Sequence, residues 1–369
     1  VLEANHTRQR RNNDGTRFQG VTFTNGLWRW FYLAVDNAVC DSLALAACWF
    51  SSYSGWCYRW VCCWIDGAIQ RELDMGEIVH IENWDDLSLE ELDVLERKIA
   101  GQFMGLVPWG AVAWGLCNCA VFISLFPLVL MGIVPLWLAF PIATLNVTLS
   151  YLPSHEAQHN IIAGKGKPLR WVNELVGHVS TIPLVQPYRV LRATHMEHHK
   201  YTNDPEKDCD IDIHARSNLE FIWKMIQNRQ PESNRSSAYG RSLERTGQQH
   251  LIIDAIVMQS AYLVVIFSMA WTGYAIEAFF LWWLPKFLAE FHITYYLAWK
   301  PHQPGVKQGR YRDTRAFKSR LGNVVSAGMQ YHIIHHLYPR IPLSLTPAAY
   351  RELRPILERR GCDLGELQN

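Results

Sequence analysis

Between Gly101 and Ser154 the chain contains no aspartate, glutamate, lysine or arginine. A core helix of a soluble protein rarely needs so long an uncharged run. A bilayer crossing takes about 20 apolar residues, so the run fits two crossings joined by a tight turn. An excess of charge is also missing, since 35 Lys and Arg against 34 Asp and Glu leave a formal +1. Without a strong basic field, nucleic acid is not expected as a partner. The nine cysteines contain no CxxC pair. Five lie between Cys40 and Cys63, Cys117 and Cys119 sit in the apolar run, and Cys209 and Cys362 are isolated. Cysteines in apolar runs behave more often as small buried hydrophobes than as bridges, so no disulfide framework is expected.

The first residues lack the apolar core of a signal peptide; Arg8, Arg10, Arg11, Asn12, Asn13 and Asp14 open the chain instead. A Trp- and Cys-rich run follows, Cys57-Tyr-Arg-Trp-Val-Cys-Cys-Trp64. It reads as an extra membrane hairpin or metal site, as a poorly patterned segment without chemistry, or as upstream or misframed translation with Met75 the true start. The last two together are the expectation, which makes 1–75 an atypical segment, either native without chemistry or not native at all.

Pattern returns at Trp84. Ser88-Leu-Glu-Glu91 has the form of a capping box, and Leu89, Leu92, Leu95 and Ile99 make a helical apolar stripe. Residues 76–100 therefore read as an amphipathic helix at the membrane surface. Crossings are expected at 103–124 and 129–151, with Pro108 and Pro127 at their edges and a kink at Pro135 or Pro141. Residues 156–250 are polar and basic, with a less polar patch, Val176–Val185, read as an interfacial helix. Apolar sequence returns from Leu251 to Trp299, interrupted by Asp254, Glu277, Lys286 and Glu290. It gives two further crossings, at 255–275 and 278–299. The fold class is thus all-α integral membrane, with about four transmembrane helices in two hairpins and a helical cap on one side. The core domain spans 101–345, and 346–369 is a C-terminal tail. Lys and Arg crowd the cap side, which places it in the cytoplasm of a multi-pass membrane protein.

Three histidine clusters punctuate this plan: His155 and His159; His195, His198 and His199; His332, His335 and His336. Spacings of three and four put the rings of each cluster on one helix face. Two crossings leave and return before the second cluster, and two more before the third, so all three meet on one side. Eight imidazoles exceed the three or four protein ligands of a single zinc. The arithmetic points to two metals, and all-nitrogen coordination suits iron, copper, nickel or zinc.

His155-Glu156-Ala-Gln-His159 alone matches H-E-x-x-H, in which Glu156 would be the base of a zinc protease. That reading leaves six clustered histidines unexplained. Taken together, the clusters resemble the membrane fatty acid desaturase superfamily, which includes acyl desaturases, alkane hydroxylases, and carotenoid hydroxylases and ketolases. The resemblance covers about 101–345. It extends through His195-Met-Glu-His-His-Lys-Tyr-Thr-Asn-Asp-Pro-Glu-Lys-Asp208 and Tyr331-His-Ile-Ile-His-His-Leu-Tyr-Pro-Arg-Ile-Pro342. Trp299-Lys-Pro-His302 and Arg310-Tyr-Arg-Asp-Thr-Arg315 are most similar to carotenoid-hydroxylase-type members.

The resemblance implies a di-iron centre with O2 as co-substrate, ligated by His155, His159, His195, His198, His199, His332, His335 and His336. The family adds a ninth nitrogen, for which His302 and His292 qualify, and His178 as a third choice. A lone histidine is otherwise a satisfied or solvated side chain; His6, His80, His214 and His250 are assigned to the surface. Asp204, Asp208, Asp210 and Asp212 are candidate partners for ligand N–H groups, or else a solvated acidic loop. Glu156 and Glu197 are read as supporting groups. Trp137, Trp282, Trp283, Phe291 and Tyr295 either line a substrate channel or serve as core and interface anchors.

The implied activity is O2-dependent oxidation of an unactivated lipid C–H bond by a fatty acid desaturase, with β-carotene ring hydroxylation as the alternative. The heme-binding His-Pro-Gly-Gly of fused cytochrome b5 domains is missing. Electrons are therefore expected from a separate carrier of ferredoxin, rubredoxin or cytochrome b5 type, and the substrate is a membrane lipid or acyl chain.

Overall fold

A computed structural model describes residues 87–228, 234–319, 323, 326 and 328–367. The readings made of 1–75 and Met75 fall outside the described residues. Among these, regular structure is helical; one isolated bridge joins Arg315 and Asp363.

Helix α1 (Leu89–Gln102) starts where its sequence says it should. Ser88 and Glu91 form the reciprocal capping box, with Glu91 Oε2 2.9 Å from Ser88 N. Of its stripe, Leu92 and Leu95 are buried and Ile99 partly so, with Ala100 beside them, against the C-terminal helix, whereas Leu89 is exposed. Glu96 is buried on that same face, where its carboxylate accepts the hydroxyls of Tyr338 (2.7 Å) and Tyr311 (2.9 Å) beside Arg310 and Arg360. A lone buried carboxylate would be costly; these partners satisfy it and tie α1 to the segment after the third histidine cluster.

Helices α2 (Trp109–Leu130) and α3 (Leu136–Leu149), the latter running on through α4 (Tyr151–Gln158), form the first apolar hairpin. The spans 109–130 and 136–158 are each long and apolar enough to cross a membrane. Both begin and end later than the sequence reading. The proline placement explains why. Pro108 and Pro135 lack a useful N–H and sit at the N-caps, whereas Pro127 and Pro141 lie inside their helices. Within the hairpin, Asn118 and Asn146 each donate their amide to the other's backbone carbonyl at 2.9 Å. Such a pair in apolar surroundings contributes on the order of 1 kcal/mol. Gly115 permits close approach, since a Cβ there would stand 2.6 Å from Ser180 Oγ.

Helix α5 (Arg170–Thr181) packs on α2 and α4, burying Val172, Val176 and Gly177. The patch read as an interfacial helix is therefore largely protein core. Helix α6 (Tyr188–Tyr201) follows, then α7 (Asn218–Gln227) and α8 (Asn234–Arg245).

The second apolar region opens with the span Gln249–Trp271, which includes α9 (Ile252–Trp271) and buries only Tyr262 along that helix. After a short turn the chain is helical from Ala275 to His302 in pieces. These are α10 (Ala275–Ala278), a π segment (Phe279–Trp283), α11 (Leu284–Ile293), a second π segment (Thr294–Trp299) and a final 3-10 turn. Helix α11 packs along α3. Three of the charges within these segments find partners: Lys286 pairs with Glu290 one turn away, and Asp254 lies 3.3 Å from Arg189. Trp282 joins Phe122, Phe126 and Tyr262 in an edge-on aromatic cluster, whereas Trp137 is 76% exposed.

The third histidine cluster occupies a helix of six residues, α12 (His332–Leu337). The stretch read as a tail contains α13 (Thr346–Arg359), which buries Ala349, Tyr350, Leu353, Ile356 and Leu357 against α1.

Candidate metal centre

The eight clustered histidines converge, although they come from three helices far apart in sequence. His155 lies in the last turn of α4 and His159 caps it; His198 and His199 occupy the last turn of α6. Both helices thus aim the negative end of their dipole, favourable to a cation, at one place. Each stops at an asparagine in the left-handed region, Asn160 (φ 57°) and Asn203 (φ 62°), a conformation asparagine tolerates better than most residues. Asn160 Oδ1 accepts Arg192 Nη2 at 2.7 Å. Asn203 Nδ2 donates to the carbonyls of Lys307 and Asp313, each at 2.7 Å.

Two groups of ring nitrogens result. His155, His159, His195 and His335 form one; His198, His302 and His336 form the other, and within each the candidate ligand atoms lie within 4.8 Å of one another. Short contacts between Nε2 atoms run through both. They are 2.8 Å for His159–His195, 3.2 Å for His195–His199, 3.0 Å for His199–His335, 3.3 Å for His198–His302 and 3.1 Å for His302–His332.

These spacings fit metal ligation. A metal bound to nitrogen at about 2.0–2.1 Å holds neighbouring ligands about 2.9–3.4 Å apart for octahedral to tetrahedral angles. Hydrogen bonding accounts for them poorly. A neutral imidazole has one proton to give, and the Nε2 atoms of His195, His199 and His302 each meet two others. His336 approaches Thr202 Oγ1 through Nδ1, leaving Nε2 buried without a partner.

The electrostatics favour lone pairs. Burial, with repulsion from neighbouring rings, holds His159, His195, His199, His302, His332, His335 and His336 well below the ordinary histidine pKa. His198 differs. Burial opposes its charge, but the Asp208 carboxylate, 2.8 Å from its Nδ1, raises its pKa to about 9 with help from Asp210 and Asp313. Asp208 holds the Nδ1 proton, so Nε2, the more basic nitrogen, is the one turned to the second group and would give up its proton to a metal there. His332 Nδ1 lies 3.1 Å from the Met329 thioether.

Of the four acids after the second cluster, Asp208 is the one in hydrogen-bond contact with a clustered ring. Asp210 stands 4.0 Å from His198 and accepts the Tyr239 hydroxyl, and Asp204 caps its own turn. Glu156 Oε1 accepts the Leu343 N–H at 2.7 Å, and Glu197 pairs with Arg245. His302 joins the second group; His292 is in neither and packs on Tyr296, and His178 is exposed against Tyr188. His214, read as a surface residue, is partly buried and stacks on His302 at 6.3 Å. Gly305 makes room for it, since a Cβ there would lie 1.8 Å from His214 Nδ1.

Tyr188 escaped notice in the sequence. It is fully buried, donates to Ala157 O at 3.0 Å and accepts Asn173 Nδ2 at 3.2 Å. One side chain thereby joins α4, α5 and α6 between the first two clusters.

The family model described as fatty acid desaturase matches residues 131–366. The sn-1 oleoyl-lipid 12-desaturase of Picosynechococcus sp. is 30% identical over 132 residues, 35% of each chain. The sn-1 acyl-lipid omega-3 desaturase (ferredoxin) of Nostoc sp. is 32% identical over 72 residues, 20% of each. Dihydrorhizobitoxine desaturase of Bradyrhizobium elkanii is 24% identical over 248 residues, 58% of this chain and 68% of that one. The chain thus spans about a third of the length of the first of these relatives.

Proposed function

The chain belongs to the fatty acid desaturase family, and from that premise we propose that it is an O2-dependent di-iron membrane oxidoreductase that desaturates a lipid acyl chain. The observation that carries the proposal is the pair of adjoining nitrogen groups, buried where two helices of the apolar layer and its neighbour end.

An aliphatic C–H bond is not acidic enough for a side-chain base. His155, His159, His195, His198, His199, His302, His332, His335 and His336 would hold the iron, which would supply the activation of O2 that such a bond requires. Removing two hydrogens to form a double bond, with O2 reduced to two waters, consumes two electrons and two protons. The chain's own residues provide placement. Burial keeps His159, His195, His199, His302, His332, His335 and His336 neutral, Asp208 orients His198, and Tyr188 and Glu96 lock the helices that carry the clusters. His292 packs on Tyr296 outside both groups, so His302 is preferred as the ninth nitrogen.

We place four crossings in two hairpins, with Ala275–His302 as the fourth, and the metal cap in the cytoplasm. Charge supports that side. The turns at 131–135 and 272–274 contain no lysine or arginine, whereas Lys165, Lys167, Arg189, Lys200 and Lys207 lie on the histidine side. The substrate is a bilayer lipid and the electrons come from a separate carrier, a reading supported by the ferredoxin in the name of the Nostoc relative.

Carotenoid ring hydroxylation is the second reading, favoured by Trp299-Lys-Pro-His302, the segment that delivers His302 to the second group. Expression of the full chain in cells that make β-carotene, with acyl-chain and pigment analysis side by side, decides between them. A new double bond with unchanged pigment supports the desaturase. Hydroxylated pigment with unchanged acyl chains replaces it, and one metal per purified chain removes the di-iron reading altogether.

A further inference from the structure

The loop that leaves His302 lies over the second nitrogen group and is anchored to it. Asn203 donates to the carbonyls of Lys307 and Asp313, and its own carbonyl accepts Gln308 Nε2 at 3.2 Å. The Asn203 N–H in turn donates to Asp208 Oδ2 at 2.8 Å, on the carboxylate whose other oxygen meets His198. Asn203 thus links the loop to the carboxylate that meets His198.

A small pocket opens through this loop. Lys307 and Arg312 line it together with Asn203, Thr314 and Asp363, and His302 also lines it, buried within the second group. The neighbouring cations are engaged: Arg310 with Glu96 at 3.5 Å, and Arg315 with Glu366 at 3.6 Å and Asp363 at 3.8 Å. Lys307 and Arg312 are exposed and form no ion pair among the described residues. Between His302 and Lys307 the loop exposes Val306 at 76%. Two unpaired cations beside one apolar side chain thus make an exposed face, and the pocket they line, with Asp313 and the Arg315-paired Asp363 also on its wall, has His302 on its lining.

We propose that this face, Val306 to Arg312, is the docking surface for the small acidic electron-carrier protein that the proposed oxidation requires. The inference rests on that reading of the site. Each encounter transfers one electron, leaving the carrier oxidised, so two encounters supply the two electrons consumed per double bond. A transient complex of this kind is steered by opposite charge and weakens with salt. Membrane headgroups would also meet lysine and arginine, but they have no use for a pocket reaching His302.

The test measures binding of two acidic probes to the purified full chain at low and high salt: a plant-type [2Fe–2S] ferredoxin of net negative charge and the soluble domain of a cytochrome b5. The parent should bind at least one of them, with affinity falling steeply as salt rises. Lys307→Glu/Arg312→Glu should weaken that binding about tenfold or more at low salt, with metal content unchanged. Lys165→Glu/Lys167→Glu, on another exposed loop, should change it less than about twofold. The inference is overturned if the parent binds neither probe, if Lys307→Glu/Arg312→Glu binds as the parent does, or if that variant loses affinity for phosphatidylserine vesicles while keeping the carrier. Metal analysis of the same samples reports separately on the oxidoreductase reading. Protein without two irons that still shows Lys307- and Arg312-dependent binding loses that reading and keeps the docking face.

Discussion

His198 Nδ1 stands 2.8 Å from Asp208 Oδ1, with both side chains buried. It is closer than the Asp210 carboxylate, 4.0 Å from the same nitrogen, and it makes one ring of the second group more basic than the rest. Asp208→Asn keeps an oxygen that can accept the Nδ1 proton but removes the charge. Metal affinity at His198, His302 and His336 should fall about 10–100-fold. Elemental analysis after dialysis against a chelator reads this as loss of about half the iron. Full retention would show that the carboxylate does not tune the site.

The same pair predicts a pH dependence for chelator-treated protein. Asp208 is held down at about 2 from an ordinary 3.8, and His198 is held up at about 9 from 6.5. The first contribution is present above 3.8 and is lost as pH falls through about 2; the second is full below 6.5 and is lost as pH rises through about 9. The difference in thermal midpoint between the parent and Asp208→Asn should therefore be largest between pH 4 and 6.5 and should shrink towards pH 9. A constant difference across that range contradicts the pairing.

Gly177 faces Tyr188, and a Cβ there would lie 2.4 Å from the ring. Gly177→Ala must push aside the ring that joins α4, α5 and α6. Overpacking of this kind costs about 1–3 kcal/mol, so the midpoint in detergent should fall by several degrees and iron should be lost with it. An unchanged midpoint would show that the ring has room to move.

Glu156 separates the metal-oxidase reading from the H-E-x-x-H protease reading. Its Oε1 accepts the Leu343 N–H, a bond that glutamine can also accept. Glu156→Gln should keep both metals and change lipid oxidation by less than about threefold, whereas His335→Ala should lose metal. Abolished activity with metal intact would restore a role for Glu156 as a base.

The histidine clusters were legible because helix geometry converts spacings of three and four directly into a shared face. The first hairpin was legible because it lacks charge. Which lone histidine joins was not legible. Two π segments, at 279–283 and 294–299, shift the faces of the last apolar stretch away from a 3.6-residue count, so periodicity could not rank His292 against His302. Asp208 could not be separated from Asp204, Asp210 and Asp212, because the turns at 202–213 decide which acid meets a ring. Helix α13 carried its signal openly in Tyr350, Leu353, Ile356 and Leu357, and its position at the end of the chain obscured it. Tyr188 gave none, since its role depends on a glycine in another helix.

Helix α12 has a consequence for biogenesis. Both nitrogen groups include a member of it, His335 in one and His336 in the other, so neither coordination set exists until translation has passed position 336. Loading of any metal must then follow synthesis of nearly the whole polypeptide, and a product truncated before α12 would lack a member of each group and be unable to mature.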